Sequence, residues 1–588
     1  MTMHHLRSAA AGAALLLTSF VVACGSDSPT ETPSNGGGNP PPAVVASVDL
    51  TPPTGDLAIG ATAKLTATPR DGSGNALSRT VAWASSDAAI ASVDASGLVT
   101  GRAAGTTTIT ATSDGKSASA AITVKQAGVP VASVTIGRAV DTLEAWDQAT
   151  MTATLRDVGG APLSNRVVRW ATSNAAVATI DSVTGVLTGI DRGAVTVTAT
   201  SEGKAGTATR VIVIKYRSIS AGTMHACDIA SGGIAWCWGL NGAEGRLGSD
   251  QLSSTSMSST PFRVPGNHRF VQLATFGRHT CGLTAEGKAY CWGYNGWGGL
   301  GTASNVSQSP TPLLVAGNAT FRSISAGSDH TCAVAIDNVA YCWGNNDWRQ
   351  LGTGTSTISS VPVAVSGGIA FGTVTAGPGF TCGVSTTGGA YCWGANSIGQ
   401  TADGKTINYG NVFVSTPQQV VGGHIFKSVA LGNQYACGVT TTGEGYCWGS
   451  NNGKLGSGPT NDSSTPLAVS GGLTFNKIST GYGHACGITT ANALYCWGAN
   501  GSGQLGVAVS AGSTVPLRAA GALLVSDVAA SGIGTGSGTH TCAVSLDRLT
   551  VYCFGRNDVG QLGNGTTSVG ATANSTATIV SGQKPDGV

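Results

Sequence analysis

Residues 475–506 read FNKISTGYGHACGITTANALYCWGANGSGQLG, and residues 270–301 read FVQLATFGRHTCGLTAEGKAYCWGYNGWGGLG. Both stretches contain His, then two cysteines separated by nine residues, then Trp-Gly and an Asn. The pattern recurs about every 50 residues from residue 216 onward, in seven copies. A short supersecondary unit repeated at such a period is typical of solenoids and propellers. Seven copies predict a seven-bladed β-propeller.

The composition of the whole chain favours β-structure. Among 588 residues there are 87 glycines, and charged residues make up only 10%. This suits short strands joined by tight turns, and the length requires more than one domain. The formal net charge is +2, and no block of Lys and Arg stands out, so we expect no nucleic-acid partner. The sequence predicts an all-β protein.

Fourteen of the 15 cysteines stand in the repeats as regular pairs. In the second copy, a three-residue hairpin loop at residues 285–287 places Cys281 directly opposite Cys291. Opposed strand residues lie close enough for a disulfide to bridge them. The seventh copy has one more residue between its cysteines, which a two- or four-residue loop around Asp547 and Arg548 accommodates.

Zinc ligation is the alternative for these cysteines. A nine-residue spacing does not match the short Cys-x-x-Cys units of structural zinc sites, and an exported protein favours oxidation. Each bridge closes a short loop and contributes about 2–3 kcal/mol of stability. We expect no metal and no other cofactor. The predicted disulfides are Cys227–Cys237, Cys281–Cys291, Cys332–Cys342, Cys382–Cys392, Cys437–Cys447, Cys486–Cys496 and Cys542–Cys553.

The repeat pattern H-(T/A)-C-x9-C-W-G-x-N…L-G spans residues 216–588 and resembles the regulator of chromosome condensation repeat family. The resemblance implies a propeller and raises nucleotide exchange on a small GTPase as an alternative function. Export argues against exchange, and so does the lack of a long wedge inserted in a blade. A plant ultraviolet-B photoreceptor of the family relies on a G-W-R-H-T tryptophan cluster. Residues 276–280 read FGRHT and lack that tryptophan, so light sensing is not expected.

The first residues predict export and lipid anchoring. One Arg in MTMHHLR precedes the apolar run SAAAGAALLLTSFVVA, which is followed by Cys24. The run is short for a membrane span, and VVAC resembles a bacterial lipobox. The resemblance implies a signal peptide over residues 1–23, lipidated Cys24, and anchoring at the outer membrane or cell surface. The alternative is an ordinary signal peptide with an unrelated cysteine. Residues 24–43 are rich in Pro, Gly, Ser and Thr and predict a disordered tether.

Two β-rich units follow the tether, at residues 44–126 and 130–215. They share the pattern W-x-(S/T)-S, A-x-(V/I)-D and G-(V/L)-(V/L)-T-G, which resembles the group 2 bacterial immunoglobulin-like family. Neither unit contains a cysteine, so Trp83 and Trp170 are expected to be core residues. The resemblance implies spacers or adhesive modules.

A short T-P-x-x-V element precedes most copies and predicts a fourth strand for each blade. The first copy begins at Tyr216 without such an element, and the last element, residues 576–580, has no copy after it. We therefore expect the C-terminal strand to complete the first blade.

The residues that recur in nearly every blade are expected to be architectural. A His precedes the first cysteine by two residues in five blades, where the other two blades have Phe380 and Tyr435. An Asn follows each Trp-Gly or Phe-Gly glycine by two residues and suits a turn. The histidines are His225, His279, His330, His484 and His540, and the asparagines are Asn241, Asn295, Asn346, Asn396, Asn451, Asn500 and Asn557.

Binding residues are expected where the copies differ. Trp297, Trp348 and Ile398 stand four residues after the Trp-Gly glycine in adjacent blades, and Tyr294 is close to the first. They form either a hot spot for a protein or glycan or wedges between blades. The loops at residues 403–415 and 531–539 are secondary candidates.

The acidic residues of the propeller are scattered, and no carboxylate pair is forced together by the sequence. We therefore predict no catalytic residues and a non-enzymatic, monomeric binding protein whose ligand is an unknown protein or glycan. An envelope polysaccharide-active propeller enzyme is the remaining alternative. Examples of the scattered acidic residues are Asp228, Glu244, Glu286, Asp329 and Glu444.

Overall fold

The computed structural model describes most of the chain from residue 43 to residue 582. Cys24, the predicted signal peptide and nearly all of the predicted tether lie outside the described residues. The chain divides into two compact units, residues 1–129 and 130–588. Within the described part, no helix is long and apolar enough to cross a bilayer. The described ranges are 43–52, 54–126, 128–137, 141–250, 256–304, 306–405, 407–459, 461–508, 511–531, 539–568 and 574–582.

The first unit contains an immunoglobulin-like sandwich. Its sheets have the strand orders β2-β9-β8-β5, β3-β7-β6 and β1-β4. Alternate side chains of the long strands point inward, and Trp83 packs against the core, as expected. The strands are β1 (Ser47–Thr51), β2 (Thr54–Ala58), β3 (Thr62–Lys64), β4 (Thr66–Arg70), β5 (Ala82–Ser85), β6 (Ala91–Val93), β7 (Leu98–Gly101), β8 (Gly105–Ser113) and β9 (Lys116–Lys125).

A second sandwich repeats this arrangement at the start of the second unit. Its sheets have the orders β11-β19-β18-β15, β12-β17-β16 and β10-β13-β14. Trp170 is buried in its core, as expected. The strands are β10 (Ser133–Ile136), β11 (Thr142–Glu144), β12 (Gln148–Thr150), β13 (Ala153–Arg156), β14 (Pro162–Leu163), β15 (Arg169–Thr172), β16 (Ala178–Ile180), β17 (Val186–Gly189), β18 (Gly193–Ser201) and β19 (Lys204–Val213).

Seven four-stranded antiparallel sheets follow, and each is contiguous in the chain. They are blades 1 to 7 of the predicted propeller, and a 3₁₀ turn at Ser231–Gly233 connects two strands of blade 1. The strands of blades 1 to 4 are β20 (Tyr216–Ala221), β21 (His225–Ala230), β22 (Ile234–Leu240), β23 (Met257–Arg263); β24 (Phe270–Thr275), β25 (His279–Thr284), β26 (Ala289–Tyr294), β27 (Gln308–Leu314); β28 (Phe321–Ala326), β29 (His330–Ala335), β30 (Ala340–Gly344), β31 (Ser359–Ala364); β32 (Phe371–Ala376), β33 (Phe380–Ser385), β34 (Ala390–Ala395), β35 (Phe413–Gln419).

Blades 5 to 7 have the same strand order as the first four blades. Their strands are β36 (Phe426–Leu431), β37 (Tyr435–Thr440), β38 (Gly445–Gly449), β39 (Ser463–Ala468); β40 (Phe475–Thr480), β41 (His484–Thr489), β42 (Leu494–Gly498), β43 (Ser513–Arg518); β44 (Val525–Ala530), β45 (His540–Ser545), β46 (Val551–Gly555), β47 (Thr578–Ile579). The first strand of each blade contacts the first strand of the next, and β44 contacts β20, so the ring is closed.

The hairpin registers confirm the predicted cysteine pairing. Cys281 lies opposite Cys291, and the three-residue loop at residues 285–287 has Gly287 at φ +78°. In blade 7 a four-residue loop at residues 546–549 absorbs the extra residue. All seven predicted disulfides are formed, with Cα–Cα distances of 4.0–4.1 Å.

Each disulfide is buried between its own blade and the next. Cys281 and Cys291 of blade 2 share a core cluster with Phe321 and Trp343 of blade 3. The disulfide of blade 7 likewise shares a cluster with Trp238 of blade 1. The bridges therefore fix the register of each hairpin and also form part of the contact between blades.

The expected ring closure is wrong. The C-terminal strand β47 pairs with β46 and completes blade 7, whereas blade 1 takes its fourth strand, β23, from its own copy. The reason is local: each T-P-type element pairs antiparallel with the strand that precedes it in the chain, so every blade is a simple meander. The ring closes through side-chain and backbone contacts. The amide of Ile219 donates to Asp527 Oδ2 at 3.0 Å, and Trp238 Nε1 donates to the Gln561 carbonyl at 3.0 Å.

The second sandwich and blade 1 are joined around one carboxylate. Glu144 Oε1 lies 2.9 Å from Lys215 Nζ, and Ser231 Oγ donates to Glu144 Oε2 at 3.1 Å. Burial opposes ionisation of Glu144, but the hydrogen bonds from Lys215 and Ser231 outweigh it and lower the pKa. Nearby, Arg192 Nη2 donates to the Tyr216 hydroxyl at 2.8 Å. This sandwich thus belongs to the same compact unit as the propeller.

Candidate functional site

The recurring histidines link neighbouring blades. His330 Nε2 lies 2.9 Å from Thr381 Oγ1 of the next blade, and that hydroxyl donates to the Gln350 carbonyl at 2.8 Å. Because a hydroxyl has only one proton and Thr381 gives it to this carbonyl, His330 is the donor, from Nε2. Burial lowers the pKa of His330 to about 3. Three further pairs have the same contact: His225 with Thr280, His279 with Thr331, and His484 with Thr541.

The recurring asparagines hold the loop that follows Trp-Gly. Asn346 Oδ1 accepts the amide of Leu351 at 3.0 Å, and Asn295 Oδ1 accepts that of Leu300 at 2.9 Å. The equivalent bond is present in the other five blades. The asparagines, like the four paired histidines, are architectural, as the sequence predicts.

A cavity of about 780 Å³ opens at the end of the propeller where the first and second strands of each blade connect. Its walls contain the two residues that precede the His position in each of blades 1 to 5. These ten positions have different residues in each blade, within a constant frame of strands. We call this the mouth cavity. The ten residues are Thr223, Met224, Gly277, Arg278, Ser328, Asp329, Pro378, Gly379, Asn433 and Gln434.

Two of the four predicted binding residues line the mouth cavity. The residues Trp297 and Trp348 are 40% and 48% exposed, respectively, although tryptophan is normally well buried. Trp348 also contacts Gly379 of the next blade so closely that a Cβ atom there would overlap the indole. Trp348 therefore packs between blades and still presents a ring to the cavity, and its role as a binding hot spot stays a prediction.

The other two predicted residues stand beside the cavity. The Tyr294 ring lies under the Arg278 guanidinium, 4.2 Å from its carbon to the ring centroid. Ile398 is half-buried, and its amide donates to Gln400 Oε1 at 2.8 Å. Ile398 is not among the lining residues, and Tyr294 reaches the cavity only through Arg278.

The two secondary loop candidates differ in outcome. Residues 410–413, within the predicted loop 403–415, form part of the cavity wall, and Phe413 is 39% exposed. The loop at residues 531–539 has residues 532–538 outside the described ranges. One of the two loops thus lies at the cavity.

Arg278 is held in place by a buried carboxylate. Glu244 accepts hydrogen bonds from Arg278 Nε at 3.0 Å and from Arg278 Nη2, and its second oxygen accepts from Arg246 Nη2 at 3.0 Å. Burial opposes ionisation of Glu244, but these two guanidinium groups lower its pKa to about 2. Two donors of the Arg278 guanidinium thus converge on one oxygen, Glu244 Oε1, which restricts rotation of the guanidinium. Arg278 is therefore preorganised at the cavity wall.

Asp329 is the only carboxylate among the described residues that line the cavity. Burial raises its pKa, and the positive charge of Arg278 partly offsets this effect. No three His, Cys, Asp or Glu side chains gather as metal ligands would within the described ranges.

Sequence reasoning missed the dipeptides that form the cavity wall. Arg278 was not a candidate, and Asp329 appeared only as a scattered acid. A signal was available, because the dipeptide before the His position is different in every copy. Their proximity depends on the closed ring, which no single copy encodes.

Comparison with known families agrees with this architecture. Residues 44–124 and 130–212 match the bacterial Ig-like domain (group 2). The regulator of chromosome condensation (RCC1) repeat matches residues 286–334 and 337–384. A second model of the same repeat matches residues 426–453 and 475–504. The chain thus combines two group 2 bacterial Ig-like domains with RCC1 repeats.

Individual relatives share parts of the propeller. The ultraviolet-B receptor UVR8 of Arabidopsis thaliana is 30% identical over 153 residues, which cover 25% of this chain and 33% of the receptor. The human E3 ubiquitin-protein ligase HERC2 is 28% identical over 255 residues, 42% of this chain and 4% of HERC2. The structure of human WBSCR16 has a TM-score of 0.50 at 20% identity and covers 59% of this chain and 92% of WBSCR16, a likeness of fold. This chain therefore spans no more than a third of the length of these two curated relatives.

Proposed function

We propose that this chain is a non-enzymatic, extracytoplasmic lipoprotein that binds its ligand in the mouth cavity. The observation that carries the proposal is the composition of the cavity wall. Five adjacent blades contribute residues that differ from blade to blade, and two half-exposed tryptophans stand among them. A repeat propeller keeps its frame constant and varies the residues at one end, which suits recognition.

Export is supported by two features. Seven disulfides favour an oxidising compartment, and group 2 bacterial Ig-like domains fit an exported protein. The anchor is proposed from the sequence of residues 1–24 alone. In this arrangement the two sandwiches are spacers that separate the propeller from the membrane.

The carboxylates at the cavity favour binding over hydrolysis. A glycosidase of the usual kind needs two carboxyl groups on either side of the scissile bond. Asp329 lines the cavity. The nearby Glu244 accepts hydrogen bonds from Arg246 and Arg278 and is therefore not available as the second carboxyl group. A polysaccharide-active enzyme and an exchange factor remain the alternative functions, and turnover of polysaccharides or accelerated nucleotide release from a GTPase would reveal them.

The binding proposal is tested with the full chain and envelope fractions of the cells that produce it. The Trp297→Ala/Trp348→Ala double variant is expected to bind at least tenfold more weakly than the wild type. Ile336→Ala is a matched control, because Ile336 is 66% exposed and lies at a hairpin tip of blade 3, at the opposite end of the blade. Unchanged binding by a double variant that melts like the wild type contradicts the proposal.

The anchor is tested separately by labelling cells with a radioactive fatty acid. Wild-type protein is expected to incorporate the label and to sediment with membranes. Cys24→Ser is expected to lose both properties. Equal labelling of the two proteins contradicts lipidation at Cys24.

A further inference from the structure

The mouth cavity has properties that define a class of ligand. Its volume of about 780 Å³ is that of a concave small-ligand site. A typical protein partner instead covers roughly 800 Å² of surface on each side and rarely inserts into one cavity. The ligand is therefore expected to be a small molecule or a short segment of a polymer.

The charges at the cavity wall cancel. Arg278 and Asp329 are the two charged residues among the described residues that line it. Arg278 is already paired with Glu244, and burial of Asp329 raises its pKa. An anion at this site would face Asp329, and a cation would face Arg278, so neither is favoured over a neutral ligand.

The uncharged lining offers apolar faces and polar groups together. Trp297, Trp348 and Phe413 present exposed aromatic surface. The amide side chains of Asn411 and Gln434 each contain both hydrogen-bond donors and an acceptor. A pyranose ring has the matching structure, with C–H groups on its faces and hydroxyl groups, each a donor and an acceptor, at its edge.

We propose that the mouth cavity binds a neutral oligosaccharide segment, with Trp348 and Trp297 stacked on sugar faces and Arg278 and Asp329 hydrogen-bonded to hydroxyl groups. The proposal rests on the proposed function, because it names the ligand of the same site. Arg278 is the preorganised donor, since Glu244 holds it before ligand arrives.

The test is calorimetric titration of the full chain with a panel of neutral oligosaccharides, namely gluco-, xylo-, manno- and chito-oligosaccharides of four to six units. At least one series is expected to bind. Trp348→Ala is expected to weaken that binding at least tenfold, and Ile336→Ala to leave it unchanged. The affinity is expected to stay within twofold between low and high salt, because a neutral ligand is not screened. Asp329→Asn is expected to weaken oligosaccharide binding less than tenfold. A cationic ligand would be affected more strongly, because Asp329 is the only carboxylate among the described residues that line the cavity.

Envelope material treated with periodate, which cleaves vicinal diols of sugars, separates the two proposals. Loss of binding to treated material supports the oligosaccharide. If the wild type binds treated and untreated material equally and the Trp297→Ala/Trp348→Ala variant binds neither, the mouth cavity is the binding site but the ligand is not an oligosaccharide. If the double variant binds untreated material like the wild type, the proposed function itself fails. Should that variant not fold, Gly379→Ala, which displaces the Trp348 ring without removing it, takes its place.

Discussion

Trp348 of blade 3 packs on the backbone of Gly379 of blade 4, and there is no space for a Cβ atom between them. Trp348 is nevertheless 48% exposed and lines the cavity. Blade 3 has Asp329 at the position equivalent to Gly379. The glycine in blade 4 lets the Trp348 ring lie against this blade and keep one side open. The orientation of the exposed tryptophan is thus set by the next copy.

Gly379→Ala is expected to displace the Trp348 ring and weaken ligand binding several-fold. The free energy of unfolding is expected to change by less than about 1 kcal/mol, because an exposed side chain is free to move away. Titration and chemical unfolding measure the two effects. Gly372→Ala is the control, since a Cβ there would have no contact closer than 3.4 Å. Equal binding by Gly379→Ala and the wild type contradicts the prediction.

The buried histidines are expected to make the fold sensitive to acid. Unfolded His330 has a pKa near its ordinary value of 6.5, whereas in the folded protein it is about 3. Between these values the unfolded state binds more protons, so stability falls as the pH falls. Blades 4 and 5 show a natural replacement for the His–Thr pair. Phe380 stands at the His position of blade 4, Ala436 stands at the Thr position of blade 5, and both lie in one apolar cluster.

The His330→Phe/Thr381→Ala variant is therefore expected to fold and to lose part of this pH dependence. The slope of unfolding free energy against pH, measured with urea between pH 4.5 and 6.5, should decrease by up to about 1.4 kcal/mol per pH unit. An identical slope in the two proteins would show that the pKa of His330 is the same in the folded and unfolded states, which contradicts the prediction.

Removing a disulfide is expected to destabilise the propeller without abolishing the fold. Cys332→Ala/Cys342→Ala opens a loop with a sequence separation of 10 residues and should cost about 2–3 kcal/mol. Chemical unfolding under non-reducing conditions measures the loss while the other six bridges remain. A cost below about 0.5 kcal/mol would mean that the bridge contributes little to this blade.

The contact between blades 7 and 1 is expected to depend on Val580. This residue is fully buried in one cluster with Tyr216 and Trp238 of blade 1. Val580→Ala should lower the free energy of unfolding by about 1–3 kcal/mol through loss of packing. Ile579→Ala is the matched control, because Ile579 is 36% exposed, and it should change stability much less. Similar losses in both variants would argue against a specific role at ring closure.

The joint between the second sandwich and the propeller is expected to loosen when Glu144 is changed. Glu144→Ala removes the acceptor for Lys215 and Ser231. Trypsin should then cleave after Lys215 several-fold faster, because local opening exposes the backbone. Glu286→Ala, at an exposed hairpin tip in blade 2, is the control. Equal cleavage rates for Glu144→Ala and the wild type would show that other contacts hold the joint.

The sequence alone determined the features that depend on neighbours in the chain. The number of blades, the opposition of Cys281 and Cys291, and the turn role of Asn346 all follow from the register of a hairpin and its adjoining loop. Trp297 and Trp348 were also recognisable, because they interrupt the repeat.

Only the tertiary structure decided which copies meet, and where. It brought Arg278 of blade 2 to the same cavity as Asp329 and Trp348 of blade 3. The physical reason is that these contacts cross from one blade to another. Their geometry depends on the closed ring and on the packing of every intervening blade, whereas the sequence pattern describes only the pairing within one blade.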